Sequence, residues 1–166
     1  LAGAPALAMI GLLVGFYFLN WIPPVPLSMK FGGMYHEVKR AGDHFELSYE
    51  KRWFQVWQRS NTTVAADEPI YCFTAVFAPV TLKTTVYHHW YYRSDKSKPF
   101  SHADKIPLKI AGGREGGYRA YTFKQGLDVG DWRVDVETED GRVIGRVPVH
   151  VEKRDDASRS LTTIVY

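Results

Sequence analysis

The first 29 residues of this chain contain no Asp, Glu, Lys, Arg or His; the first charge is Lys30. Cysteine is nearly absent: Cys72 stands alone, which excludes an internal disulfide. No Cys-x-x-Cys and no His-x-x-x-His spacing occurs, so no zinc site is expected, and no cofactor. No Gly-x-Ser-x-Gly nucleophile motif occurs either. The lone thiol sits in an apolar run without a basic neighbour to activate it, and reads as a small buried hydrophobe. The net charge is a mild +3 with both signs interspersed, which gives no basis for nucleic-acid binding. After the opening segment no convincing amphipathic helix appears.

What the opening holds instead is a run of apolar residues. Ala6 to Ile22 is apolar on every face, and a helix of that kind belongs in the centre of a large protein or in a bilayer. The rest of the chain is too small to wrap it. Ala2–Ile22 meets the roughly 20 residues needed to cross about 30 Å of hydrocarbon. Pro5 fits a first helical turn, and Pro23, Pro24 and Pro26 stop the helix. Tyr17 and Trp21 fall near its far end, where amphipathic rings favour the membrane interface. A signal peptide is the competing reading, but there is no basic n-region and no small-x-small cleavage site before Lys30. The expectation is therefore three parts: a transmembrane helix with a proline-rich exit (1–29), a globular domain (30–152) and a tail (153–166). Between Lys30 and Arg59 six basic residues face four acidic ones, a flank that favours a cytoplasmic domain.

The domain reads as short strands rich in aromatic and β-branched residues. They are placed near Tyr35–Lys39, His44–Glu50, Ile70–Ala78, Thr84–Tyr92, Ile106–Ile110, Tyr118–Phe123, Trp132–Thr138 and Val143–Glu152. This spacing argues for an all-β, immunoglobulin-like antiparallel β-sandwich. Lys30–Gly33 reads as an exit loop, and Lys51–Arg59 as a strand or one helical turn. Asp140-Gly141 signals a two-residue type I′ turn that sets Asp135 opposite Arg146, Val134 opposite Val147 and Trp132 opposite Val149. Pro148 should sit at an edge or a bulge. Gly112–Gly117 precedes a strand, not a helix, and reads as a long turn in place of a phosphate cradle. The tail ends Leu161-Thr-Thr-Ile-Val-Tyr166, which is either disordered or an added edge strand.

Period-2 alternation puts Thr85, Tyr87, His89 and Tyr91 on one face of their strand, and Val86, His88, Trp90 and Tyr92 on the other. Adjacent His88 and His89 cannot share a metal from a regular strand. Both faces are large and aromatic. The bland account is a central strand with a core face and a covered face. The sharper account is a binding platform of His88, Trp90, Tyr92 and Trp132, joined by Arg119 as a bidentate donor to an anion. Arg133 offers the same chemistry, although ion pairing or ring stacking is the more ordinary use. Asp95, Asp104, Glu115, Asp128 and Asp131 lie in loops, and sequence gives no way to pair them for catalysis. Asn61-Thr62-Thr63 matches a glycosylation acceptor.

Several stretches together resemble a known family. They are Ile22-Pro-Pro-Val-Pro-Leu27 after the apolar segment, Met34-Tyr-His36, Tyr87-His-His-Trp-Tyr-Tyr92, the Gly112–Lys124 segment and the Gly130–Arg146 segment. In order and spacing the chain resembles a bacterial family of uncharacterised multi-pass inner-membrane proteins with a C-terminal all-β domain of unknown function. The resemblance implies that architecture, and carries no activity and no site residues. The functional expectation is a non-enzymatic, membrane-anchored interaction module, an accessory or assembly subunit of a membrane complex. Its partners would be the bilayer and other membrane protein subunits. An envelope glycan-binding domain and an enzyme with a loop-built site are the alternatives. Analogy with other tethered sandwiches places the domain on the periplasmic side of the bacterial inner membrane.

Overall fold

The fold is taken from a computed structural model that describes residues 3–18, 27–50, 59–80, 82–113, 116–153 and 160–166. It opens with α1 (Gly3–Phe18), 16 residues without a charge at either end. Its backbone N–H and C=O groups bond to one another along the helix, so the apolar side chains need no polar partner, and Pro5 lies in the first turn as expected. At 1.5 Å per residue the 16 residues of α1 span about 24 Å; Ala2 and residues 19–22 of the span the sequence suggested lie outside the described residues. No helix among the described residues is long and apolar enough to cross a membrane. Tyr17 lies on α1; Trp21 and the three prolines lie outside the described residues.

Among the described residues eleven strands follow: β1 (Ser28–Tyr35), β2 (Glu37–Ala41), β3 (His44–Glu50), β4 (Thr63–Ala65), β5 (Ile70–Phe77), β6 (Lys83–Arg93), β7 (Ser101–Ala111), β8 (Tyr118–Lys124), β9 (Gly130–Thr138), β10 (Val143–Glu152) and β11 (Leu161–Val165). They form a three-stranded sheet in the order β1-β5-β8, a five-stranded sheet β4-β10-β9-β6-β7, and a second three-stranded sheet β11-β3-β2. All pairs are antiparallel except β4 with β10. The all-β expectation holds for this body. Lys30–Gly33 is part of β1, not a loop: Gly33 pairs with Phe73, and a Cβ there would lie 2.6 Å from Ser60 Cβ. β4 is only three residues long and carried no readable alternation. The uncertain Lys51–Arg59 segment lies, except for Arg59, outside the described residues.

The layers follow from β5, whose side chains are buried on both faces. Ile70, Cys72 and Val76 point into clusters with Trp90, Val134, Val136 and Val147 of the five-stranded sheet. Phe73, on the opposite face, packs with Tyr35, Leu47 and Tyr49 against the β2–β3–β11 sheet. The β1-β5-β8 sheet is thus the middle of three layers, which explains why Ile70–Phe77 reads as a continuous apolar run and not an alternating one. Burying a side chain of this size stabilises by about 1.5–3 kcal/mol. Rings meet in two ways at the second interface: Tyr35 lies edge-on to Phe73 at 6.4 Å, and Phe31 stacks on Tyr166 at 4.6 Å.

The β9–β10 hairpin keeps the expected long-range register: Arg146 pairs with Asp135, Val147 with Val134 and Val149 with Trp132. The turn differs. Thr138 N–H donates to Arg142 O at 2.9 Å and Gly141 N–H to Thr138 O at 3.0 Å, with Gly141 at φ +81°. This is a three-residue loop with glycine in the left-handed region. Val143 then pairs with Glu137, and a bulge between Val143 and Gly145 restores the register. Two turn irregularities cancel, so the faces come out as the alternation required. Pro148 occupies a stretch of β10 that β4, paired only at His150–Glu152, does not reach.

Candidate functional site

The residues singled out from sequence fall into two unconnected places. β6 sends Val86, His88, Trp90 and Tyr92 inward, toward the middle layer. Trp90 and His88 are fully buried and Trp132 is 7% exposed. None of these three can present a ring to a ligand, and the proposed platform loses its main support. Sequence could not decide this, because both faces of β6 carry large aromatic residues. Tyr92 is half-buried; its ring packs on Trp132 at 4.8 Å and its hydroxyl donates to Val129 O at 3.0 Å. Trp132 Nε1 donates to Asp128 O at 2.9 Å. Arg119 is on the opposite face of β8 from Thr122, far from this group. Its Nη1 donates to Asp43 O at 2.7 Å and its guanidinium lies 5.2 Å from the Tyr166 ring centre.

His88 has a different use. Its Nε2 is 2.8 Å from Thr74 Oγ1 and its Nδ1 is 2.9 Å from Thr122 Oγ1. Trp90 Nε1 donates to the same Thr122 oxygen at 3.2 Å. Thr74 and Thr122 belong to the middle sheet, His88 and Trp90 to the five-stranded one. The four form a polar clasp between layers inside an otherwise apolar core. A neutral imidazole suits it, with one nitrogen donating and the other accepting from a hydroxyl. Burial holds the His88 pKa down, at about 4.

The outer face of the five-stranded sheet holds the densest chemistry among the described residues. Asp135 and Glu137 on β9 are 2% and 6% exposed, although they point away from the core. Long side chains from the flanking strands cover them. Arg146 meets Asp135 bidentately at 2.7 and 3.0 Å, and Arg133 Nη2 lies 3.4 Å from it. Glu137 accepts from Lys105 at 3.0 Å and lies 2.9 Å from His89 Nδ1, which is itself 2.9 Å from Tyr91 Oη. Burial would raise the Glu137 carboxyl, but hydrogen bonds from Lys105 and His89 outweigh it and hold the group below the usual carboxylate range. Further along, Asp131 accepts from His150 and Arg93, which lowers its carboxyl too.

Rings and guanidiniums interleave over this network. His89 stacks on Tyr91 at 4.1 Å; Arg133 lies 4.9 Å from Tyr91 and 4.3 Å from Phe100; Arg93 lies over the Phe100 ring as well, at 4.5 Å. The column His89–Tyr91–Arg133–Phe100–Arg93 fixes long side chains that would otherwise lose entropy on every contact. The result is a charged surface braced by aromatic rings. The sequence reading placed His89 and Tyr91 on one face and paired Asp135 with Arg146. It missed the site because the partners come from β7, β9 and the loop before β7. Among the described residues no group of three or more His, Cys, Asp or Glu could hold a metal. Two open cavities, of about 240 and 390 Å³, lie elsewhere, beside His36 and Leu161 and beside Lys83 and Tyr118.

The comparisons with known proteins add similarities and no activity. Residues 83–151, from β6 to β10, match the family described as "Protein of unknown function (DUF2914)". That segment carries the whole outer-face network. Among solved structures the chain is similar to an immunoglobulin-like protein from Pseudomonas aeruginosa, at 10% identity and a TM-score of 0.41, covering 78% of this chain and 99% of that one. No curated protein matches.

Proposed function

We propose that the chain is a membrane-tethered, non-enzymatic interaction module. In this reading α1 sits in the bilayer, the layered β body stands at its surface, and the outer face of β9, β6 and β7 contacts another membrane protein subunit. The bacterial inner membrane and its periplasmic side are the setting this reading takes. One observation carries it: Leu7, Met9, Ile10, Leu12, Leu13, Val14 and Phe18 of α1 are 47–76% exposed all round the helix. Leaving that much apolar surface in water opposes the hydrophobic effect at about 25 cal/mol per Å², whereas lipid removes the penalty. The charged, ring-braced outer face supports a contact role, because its side chains are already ordered and lose little entropy on binding.

Membrane fractionation tests the tether. The native chain is expected in the alkali-resistant membrane fraction, and Leu12→Arg/Val14→Arg in the soluble one. A native chain released quantitatively by alkali would refute the tether. For the contact role, gentle solubilisation should co-purify a partner that Arg133→Glu no longer retains. A chain that purifies alone before and after the substitution would count against it.

A further inference from the structure

We infer that β11 is a docking edge, and that the strand fitting it is β11 of a second copy of this chain. The register fixes what this edge offers. Phe45 and Tyr166 exchange both backbone hydrogen bonds, at 3.0 and 2.9 Å. In an antiparallel ladder such pairs alternate, so Thr162 and Ile164 also turn their N–H and C=O groups toward β3. Leu161, Thr163 and Val165 turn theirs the other way. Among the described residues no strand pairs with that side of β11.

Open edges are usually blunted by charge, proline or shortness. The other edges here are. β1 carries Lys30, β2 carries Lys39 and Arg40, β7 carries Lys105, Pro107 and Lys109, β8 carries Arg119 and Lys124, and β4 has three residues. β11 is Leu-Thr-Thr-Ile-Val, without a charge or a proline, and Leu161 and Val165 are 53% and 66% exposed.

The same five residues are complementary to themselves. An antiparallel pair of β11 strands with its twofold axis at Thr163 sets Thr163 opposite Thr163 and Leu161 opposite Val165. The outward backbone groups of Leu161, Thr163 and Val165 from two copies then meet as three hydrogen-bonded pairs. On the solvent side, Leu161, Thr163 and Val165 form one strip across the join. Glu46 and Glu50 of β3 would face their counterparts across three strand spacings, about 14 Å, which lies beyond the screening length at physiological salt. The two β2-β3-β11 sheets become one six-stranded sheet, an isologous arrangement that closes on itself. The inference is independent of whether α1 enters a bilayer.

Sedimentation of the full chain in density-matched detergent tests it. The native chain is expected to be a dimer and Thr163→Pro a monomer. The backbone of residue 163 makes no ladder bond to β3, so Thr163→Pro removes only the side-chain bond between Thr163 Oγ1 and Ser48 Oγ on that side and the β3–β11 ladder survives this change. If Thr163→Pro loses its β circular-dichroism spectrum, Leu161→Lys/Val165→Lys asks the same question with charge on an intact ladder, and should also be monomeric. A spin label on Thr163→Cys should show strong dipolar coupling between copies; native Cys72 is fully buried and escapes labelling. A native chain that stays monomeric would overturn the inference. So would a dimer that survives the edge substitutions, or an edge filled only when a different protein is added.

Discussion

Protonating His88 should loosen the join between the middle layer and the five-stranded sheet. In the folded chain this imidazole is buried with a pKa of about 4, against 6.5 for the free side chain. The folded state therefore favours the neutral form, and the unfolded state takes up a proton first as pH falls. The stability contributed by neutral His88 is complete above about pH 6.5 and is lost progressively down to about pH 4. The difference between 6.5 and about 4 corresponds to about 3 kcal/mol in full, of which about 2 kcal/mol is gone by pH 5. The hydrogen bonds give the reason. A cationic ring donates from both nitrogens, so Thr74 and Thr122 must both accept. Thr122 already accepts from Trp90, and its own proton loses its acceptor. Denaturant unfolding at pH 7 and pH 5, on the native chain and on His88→Gln, isolates the effect. Glutamine keeps an amide donor and acceptor but does not titrate in this range. The native chain should lose about 2 kcal/mol more than the variant between the two pH values, or roughly 4–8 °C in Tm for a chain of this size. Equal losses would refute the assignment of His88 as a neutral cross-layer clasp.

Other consequences are more local. Arg146→Ala leaves the buried Asp135 carboxylate with only the longer Arg133 contact and should cost about 1–3 kcal/mol. Asp135→Ala combined with it should cost less than the sum, as a double-mutant cycle would show. Gly112→Ala puts a Cβ against the Pro79 carbonyl oxygen, where backbone, not a yielding side chain, stands in the way. It should destabilise by about 1–3 kcal/mol, while Gly42→Ala, with open space around it, loses only what its positive φ demands. Burial pushes the Cys72 thiol well above its ordinary value. Alkylating reagents at neutral pH should leave it untouched in the folded chain and modify it in denaturant, as mass spectrometry would show.

Much of the strand layout was legible because alternation and turn residues are local signals. His44–Glu50 and Val143–Glu152 were found with their boundaries, and the β9–β10 pairs followed from the Asp140-Gly141 turn and the hydrophobic pattern. Even the wrong turn type did no harm, since the bulge after Val143 returned each side chain to its face. The third layer was not legible. It depends on β5 being covered twice and on Leu161–Val165 returning to pair with β3, a partner more than a hundred residues away. The site was half legible. Alternation separated His89 and Tyr91 from His88 and Trp90, but nothing in a single strand says which set faces water. Arg133, Phe100, Lys105 and Glu137 become neighbours only when β7 and β9 flank β6.

The central claim is that α1 lives in lipid. The most direct measurement is labelling of the native chain in membranes with a lipid-dissolved carbene reagent, read residue by residue by mass spectrometry. Modification is expected to concentrate on Leu7 to Phe18 and to be absent from the strands. An unlabelled α1, with the reagent found elsewhere or nowhere, would contradict it.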